Sequence, residues 1–160
     1  MEGHVSTLYL CAFSRSLLKR LHRNNHIWAV SEHGVLANKT CGSALTDNYV
    51  ESFGSVPGTW YALGVVAWPG GTTTVSGNNI MIQAPAGPKH VCIGVAGPAQ
   101  GEGVVNVVGN AIRGIGGKVD VGLGYSGGGA ALKVLSESNH VESVGTPREV
   151  GPGATLVTGL

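Results

Sequence analysis

The chain has 160 residues and a formal net charge of +1, so its charge balance predicts no nucleic-acid partner. Its length suits one domain over residues 1–160, with a possible division into a helix- and hairpin-rich half (1–70) and a β-α-β half (72–160). Charged residues make up only 12% of the chain, against about 25% in ordinary soluble domains. A surface with so few charges favours burial against further copies, which predicts a homo-oligomer.

The N-terminal part predicts a short helix followed by a hairpin. The segment RSLLKRLHR (15–23) places leucines on one face and basic residues on the other, which is typical of an amphipathic helix. The segments at 26–31 and 34–39 then form two short strands around a turn at Glu32 and His33. No apolar stretch has the length or flanking charges of a signal peptide or membrane span, so we expect no membrane span and slightly favour the cytoplasm.

The C-terminal part predicts alternating strands and helices. Apolar strands are expected at 72–77, 79–85, 90–97, 118–124, 140–145 and 154–159. Helical spacing of apolar residues within 104–117, and the segment GGAALKVLSES at 128–138, predict two helices between the later strands. The predicted fold class is therefore α/β, with a mainly parallel sheet and helical crossovers over residues 90–160. A β-rich fold, or an α+β fold of the roadblock or profilin type, is the alternative.

One glycine-rich stretch satisfies two functional patterns. Residues 122–127 read G-x-G-x-x-G, which would hold a dinucleotide pyrophosphate, and residues 124–128 read G-x-S-x-G, which would present a nucleophilic serine. The dinucleotide interpretation needs an acidic residue at the end of the next strand, but Glu142 lies near that strand's start. The serine pattern is favoured because small residues surround Ser126 on both sides.

Residues 119–135, VDVGLGYSGGGAALKVL, resemble the nucleophile elbow of serine esterases and lipases of the α/β-hydrolase type. The later SVGTPREVG (143–151) is similar to the strand and loop that come after the elbow helix in the lipase branch. The resemblance covers roughly residues 104–151, about a third of the chain. It implies an acyl hydrolase, or a degenerate relative of one, acting on a small acyl or ester substrate.

That resemblance implies the candidate site residues. Ser126 would be the nucleophile, and Gly127 N–H, with a donor from the 97–103 loop, would form the oxyanion hole. Glu149 is the candidate orienting acid, because the strand before it returns to the edge of the sheet where Ser126 lies. The downstream His140 should lie at the opposite edge. A general base would therefore have to come from upstream, where the histidines are His4, His22, His26, His33 and His90.

No histidine pair has the spacing of a zinc site, so we expect neither metal nor cofactor. Low charge, high glycine content and positive mean hydropathy also suit a different class of protein. That second hypothesis is a noncatalytic, self-assembling structural or interaction protein, such as an oligomeric or virion-type component.

Overall fold

The computed structural model describes residues 21–30, 32–40, 43–54, 58–82 and 90–157, which form fourteen β-strands and no helix. Every pairing between neighbouring strands is parallel. The strands are β1 Leu21–Arg23, β2 His26–Val30, β3 Val35–Thr40, β4 Ala44–Thr46, β5 Tyr49–Phe53, β6 Trp60–Ala67, β7 Thr72–Ser76, β8 Asn79–Met81, β9 His90–Ala96, β10 Glu102–Val108, β11 Ala111–Ser126, β12 Ala131–Glu137, β13 His140–Val150 and β14 Ala154–Val157.

The strands stack as the rungs of a parallel β-solenoid with three walls. The first wall consists of β1, β4, β7, β10, β12 and β14. The second wall contains β2, β5, β8 and the first residues of β11 and β13. The third wall contains β3, β6, β9 and the last residues of β11 and β13. Each circuit of the chain therefore adds one strand to each wall and rests on the circuit before it.

The corner between the first and second walls is a column of five asparagines. On successive rungs, each asparagine Nδ2 donates to the Oδ1 of the next asparagine at 2.8–2.9 Å, along Asn25, Asn48, Asn78, Asn110 and Asn139. The residue before each asparagine has a positive φ of 53–67°, which turns the chain sharply between the two strands. This asparagine ladder fixes where each rung leaves the first wall and enters the second.

Aliphatic columns fill the interior. The residue two positions after each ladder asparagine points inward, and these residues are in register as Ile27, Val50, Ile80, Ile112 and Val141. Similar columns line the first and third walls, and the buried apolar side chains form one continuous cluster. Because β-branched side chains suit a pleated surface, stacking like on like gives each rung the same cross-section.

Glycines form the corner between the third and first walls. The Cβ of any larger residue at Gly127 would lie 2.5 Å from the backbone of Gly153, and one at Gly97 would lie 2.4 Å from Gly127 O. The backbones of three successive rungs thus lie in close contact at Gly97, Gly127 and Gly153, with no side chain between them. Gly128, whose φ is +62°, completes the turn in a conformation that disfavours other residues.

The predicted α/β fold with helical crossovers is therefore wrong, and the described chain is β-rich. The expected helix at 104–117 is β10, a corner at Gly109 and Asn110, and the start of β11. The expected helix at 128–138 is a turn followed by β12. In β10 the residues at 103, 105 and 107 are buried and their neighbours are not, so the strand period of two overrides the approximate helical spacing.

The N-terminal predictions also need correction. Residues 15–20 of the predicted helix lie outside the described residues, and its end, 21–23, is strand β1. The predicted hairpin is wrong because β2 pairs with β5 and β3 pairs with β6, both in parallel. The described part of the chain contains no helix with the length and apolarity needed to cross a bilayer.

Candidate functional site

The centre of the third wall is the uncharged face of the solenoid. Its three central strands, β6, β9 and residues 121–126 of β11, contain no Asp, Glu, Lys or Arg. The other two walls carry ion pairs on their outer faces, Lys133 with Glu102 on the first and Arg113 with Glu142 on the second. An apolar surface surrounded by charged ones marks a contact or ligand site.

A groove of about 360 Å³ runs across the uncharged face. Its centre line is a register column that crosses neighbouring strands and consists of Leu36, Gly64, Gly94, Gly124 and Glu149. Small and apolar side chains such as Val66 and Ala96 form one side, and Ser126 lies beside them at the end of β11. The groove therefore has an apolar half near Leu36 and a polar end near Ser126 and Glu149.

The glycines of the column make the groove possible. A Cβ at Gly94 would lie 2.3 Å from Cδ1 of Tyr61, and one at Gly64 would lie 2.7 Å from Cδ1 of Leu36. The Tyr61 ring and the Leu36 side chain thus pack directly against the backbone of Gly94 and Gly64 in the apolar half. His33 also contacts Tyr61, since its ring stacks on the tyrosine at 5.3 Å and its Nδ1 accepts the Tyr61 N–H.

Ser126 is exposed and ends a strand, but the chain continues from it into a corner and another strand. The strand–turn–helix of a nucleophile elbow is therefore absent at this position. The Ser126 Oγ accepts a hydrogen bond from Gly128 N–H at 3.3 Å, the local contact by which serine stabilises a turn.

Gly127 N–H and the first N–H of the 97–103 loop already bond to backbone carbonyls. Gly127 N–H donates to Pro152 O at 2.8 Å, and Gly97 N–H, at the start of the 97–103 loop, donates to Ser126 O at 2.7 Å. Both bonds join one rung to the next at the glycine corner. In this conformation neither N–H points at a substrate oxyanion.

Glu149 lines the same groove as Ser126, so the structure brings these two predicted residues together. Among the described histidines, His33 contacts Tyr61 in the apolar half of the groove, and the others lie away from Ser126. His90 is buried against Asp120, His140 contacts Glu142 on the second wall, and neither bonds to Ser126. His26 pairs with Glu51, also on the second wall. His4 lies outside the described residues.

We expect Ser126 to be unreactive. A serine hydroxyl is activated when an adjacent base accepts its proton, and the hydrogen bond found at Ser126 Oγ among the described residues comes from Gly128 N–H rather than from a histidine. Incubation with a fluorophosphonate probe and then intact-mass analysis should show an unmodified protein, and the Ser126→Ala variant should behave identically. Stoichiometric labelling that disappears in Ser126→Ala would restore the hydrolase prediction.

The interpretation of the sequence missed Tyr61 and the glycine column. The signal was present as an apolar-Gly-apolar triplet, LGV, IGV and LGY, whose glycines at 64, 94 and 124 recur every 30 residues. A repeat of that period is typical of a solenoid. Elsewhere in the described ranges, no three His, Cys, Asp or Glu side chains are grouped so as to hold a metal ion.

Comparison with known proteins adds no relative. No protein-family model matches the chain, and no curated protein or solved structure is significantly similar to it. The residues of the groove are therefore the basis for inferring a function.

Proposed function

We propose that this chain is a noncatalytic binding module whose groove takes a small amphipathic molecule. The apolar body of the ligand lies over Leu36, Tyr61 and Val66, and its polar group lies between Ser126 and Glu149. The observation that carries the proposal is one continuous groove with an apolar half and a polar end, lying across three strands without charged residues.

The size of the groove supports a small ligand over a second copy of the chain. Its volume of about 360 Å³ falls within the range of small-molecule sites. The third wall, five strands wide, measures about 19 Å by 20 Å, or roughly 400 Å². A stable dimer buries about 800 Å² on each partner, so this face alone is too small for one. The predicted homo-oligomer stays a prediction.

The polar end defines the head group of the ligand. Because Ser126 Oγ accepts the Gly128 N–H, its own proton is available to an acceptor atom of a ligand. The Glu149 carboxylate accepts hydrogen bonds from donor atoms. A head group with both a donor and an acceptor, such as a primary amide or an alcohol, suits this pair.

The test fills the groove with a side chain. Ala96 lines the groove, and Ala131 is an exposed residue of β12 on the first wall. Titration with the neutral, environment-sensitive dye Nile red should give a saturable fluorescence increase with the unaltered protein, displaced by decanamide. We expect Ala96→Phe to weaken dye binding at least about tenfold, because the ring occupies the apolar half.

The matched control is Ala131→Phe, which adds the same side chain outside the groove and should bind the dye as the unaltered protein does. Equal binding by both variants, or an increase that never saturates, would contradict the proposal. Urea unfolding curves of both variants establish that each remains folded.

A further inference from the structure

The outer face of the second wall carries a second chemical cluster, remote from the groove. His26 and Trp28 alternate on β2, and Tyr49 and Glu51 alternate on β5, with His26 opposite Tyr49 and Trp28 opposite Glu51. Parallel neighbours lie about 4.8 Å apart and alternate residues share a face, so these four residues form one block, the Trp28 block. Trp28 is 65% exposed, the most exposed of the large hydrophobic residues in the described chain.

The carboxylate of the Trp28 block is held in place. Tyr49 Oη donates to Glu51 Oε2 at 2.7 Å, and His26 Nε2 lies 3.7 Å from Glu51 Oε1. The His26 and Tyr49 rings meet edge to face, with centroids 4.9 Å apart. Binding at a carboxylate ordered in advance costs less side-chain entropy.

We propose that the Trp28 block binds a guanidinium group, presented by an arginine side chain of a partner. Indole is the aromatic ring that attracts cations most strongly. A guanidinium is planar and weakly hydrated, so it stacks on an indole while its N–H groups reach a carboxylate. The compact, strongly hydrated ammonium of lysine lacks this double fit.

The same wall supplies an internal example of this chemistry. Three rungs along, Arg113 Nε lies 3.2 Å from Glu142 Oε1 on the outer face of the solenoid. Glu142 thus meets a guanidinium of its own chain, and Glu51 lies in the same register column with the exposed indole of Trp28 beside it. We therefore expect the partner's arginine to stack on the Trp28 indole and to direct its N–H groups at Glu51, as Arg113 directs its guanidinium at Glu142.

The test compares two ligands that have the same capped, uncharged backbone and differ in the charge of the side chain. Nuclear magnetic resonance titration uses N-acetylarginine methylamide and its neutral isostere N-acetylcitrulline methylamide. The arginine ligand should shift the indole N–H signal of Trp28 and the backbone signals of β2 and β5, with affinity at least about fivefold above that of citrulline. Trp28→Leu and Glu51→Gln should each weaken arginine binding by a similar factor.

Two controls match these variants. Trp68→Leu removes another exposed tryptophan, and Glu142→Gln removes the carboxylate that already pairs with Arg113; neither should change arginine binding. Equal affinity for arginine and citrulline would overturn the proposal, as would shifts centred on Ser126 and Gly124. If Glu51→Gln weakens folding, Trp28→Leu decides the outcome, because it removes an exposed side chain.

Discussion

The Asn78→Ala variant is expected to lose about 4 kcal/mol of unfolding free energy, roughly 1 kcal/mol for each of four hydrogen bonds. The Asn78 Oδ1 accepts from Asn48 N and Nδ2, and its Nδ2 donates to Asn110 Oδ1 and to Leu45 O, at 2.9–3.0 Å. The side chain is 1% exposed, so water cannot replace these partners. Because natural domains are stable by only about 5–15 kcal/mol, urea denaturation monitored by circular dichroism should show a large shift.

Asn79→Ala is the matched control for the Asn78 prediction. Asn79 is the next residue, but its side chain is exposed on the outer face of β8, so its loss should change stability by less than about 0.5 kcal/mol. The exposed Asn25 at the first rung should lie between the two, since solvent can hydrate the groups that it leaves. Equal effects of Asn78→Ala and Asn79→Ala would show that the asparagine ladder does not stabilise the corner.

His90→Phe is expected to cost about 3–5 kcal/mol of unfolding free energy, the usual result of breaking a buried charged pair. His90 Nδ1 lies 3.1 Å from Asp120 Oδ1, and Nε2 lies 3.1 Å from Gly54 O; His90 is 1% and Asp120 3% exposed. A carbonyl can only accept, so Nε2 carries a hydrogen. The ring and the carboxyl then share one further proton, and the pair as a whole is neutral. Phenylalanine leaves both oxygen partners without a donor.

The His90 prediction has two controls. Asp120→Asn should cost only about 1 kcal/mol, because the amide can donate to Nδ1 of a neutral imidazole while Nε2–H still reaches Gly54 O. The double variant His90→Phe/Asp120→Leu should recover much of the loss, since it removes the buried carboxylate as well. If the double variant loses as much unfolding free energy as the separate variants His90→Phe and Asp120→Leu lose together, packing rather than the uncompensated carboxylate sets the cost.

The candidate site was only partly accessible to sequence reasoning. The sequence places Ser126 and Glu149 at one edge of a sheet, because a parallel strand returns the chain to that edge, and in the structure both line the groove at the ends of β11 and β13. The expectation of a helix between them was wrong, since β12 connects them. The glycines around Ser126 resemble those of an elbow, but here they allow close stacking of successive corners, as Gly127 on Gly153 illustrates.

The overall fold was missed because its repeat was missed. The pattern Asn-x-(Ile/Val) occurs at every ladder position, with successive asparagines 23, 30, 32 and 29 residues apart. Periods of this length indicate repeat architectures, and the physical reason is that each rung must repeat its corner to stack on the last. The helical spacing within 104–117 competed with this signal. Gly109 reads as a glycine that weakens a helix, although with Asn110 it forms a corner.

The sequence by itself determined some of the apolar strands, and those at 72–76, 79–81, 90–96 and 154–157 agree with the predictions, because β-branched runs between glycine and asparagine turns favour strands. The parallel direction of the later strands was inferred from helical crossovers, which the described chain lacks. Tertiary structure decided that residues 131–137 are a strand, since that segment pairs with β10 and β14 on either side. The local sequence carries no information about hydrogen bonds to residues some 30 positions away. Those bonds decide between helix and strand wherever the local pattern allows both.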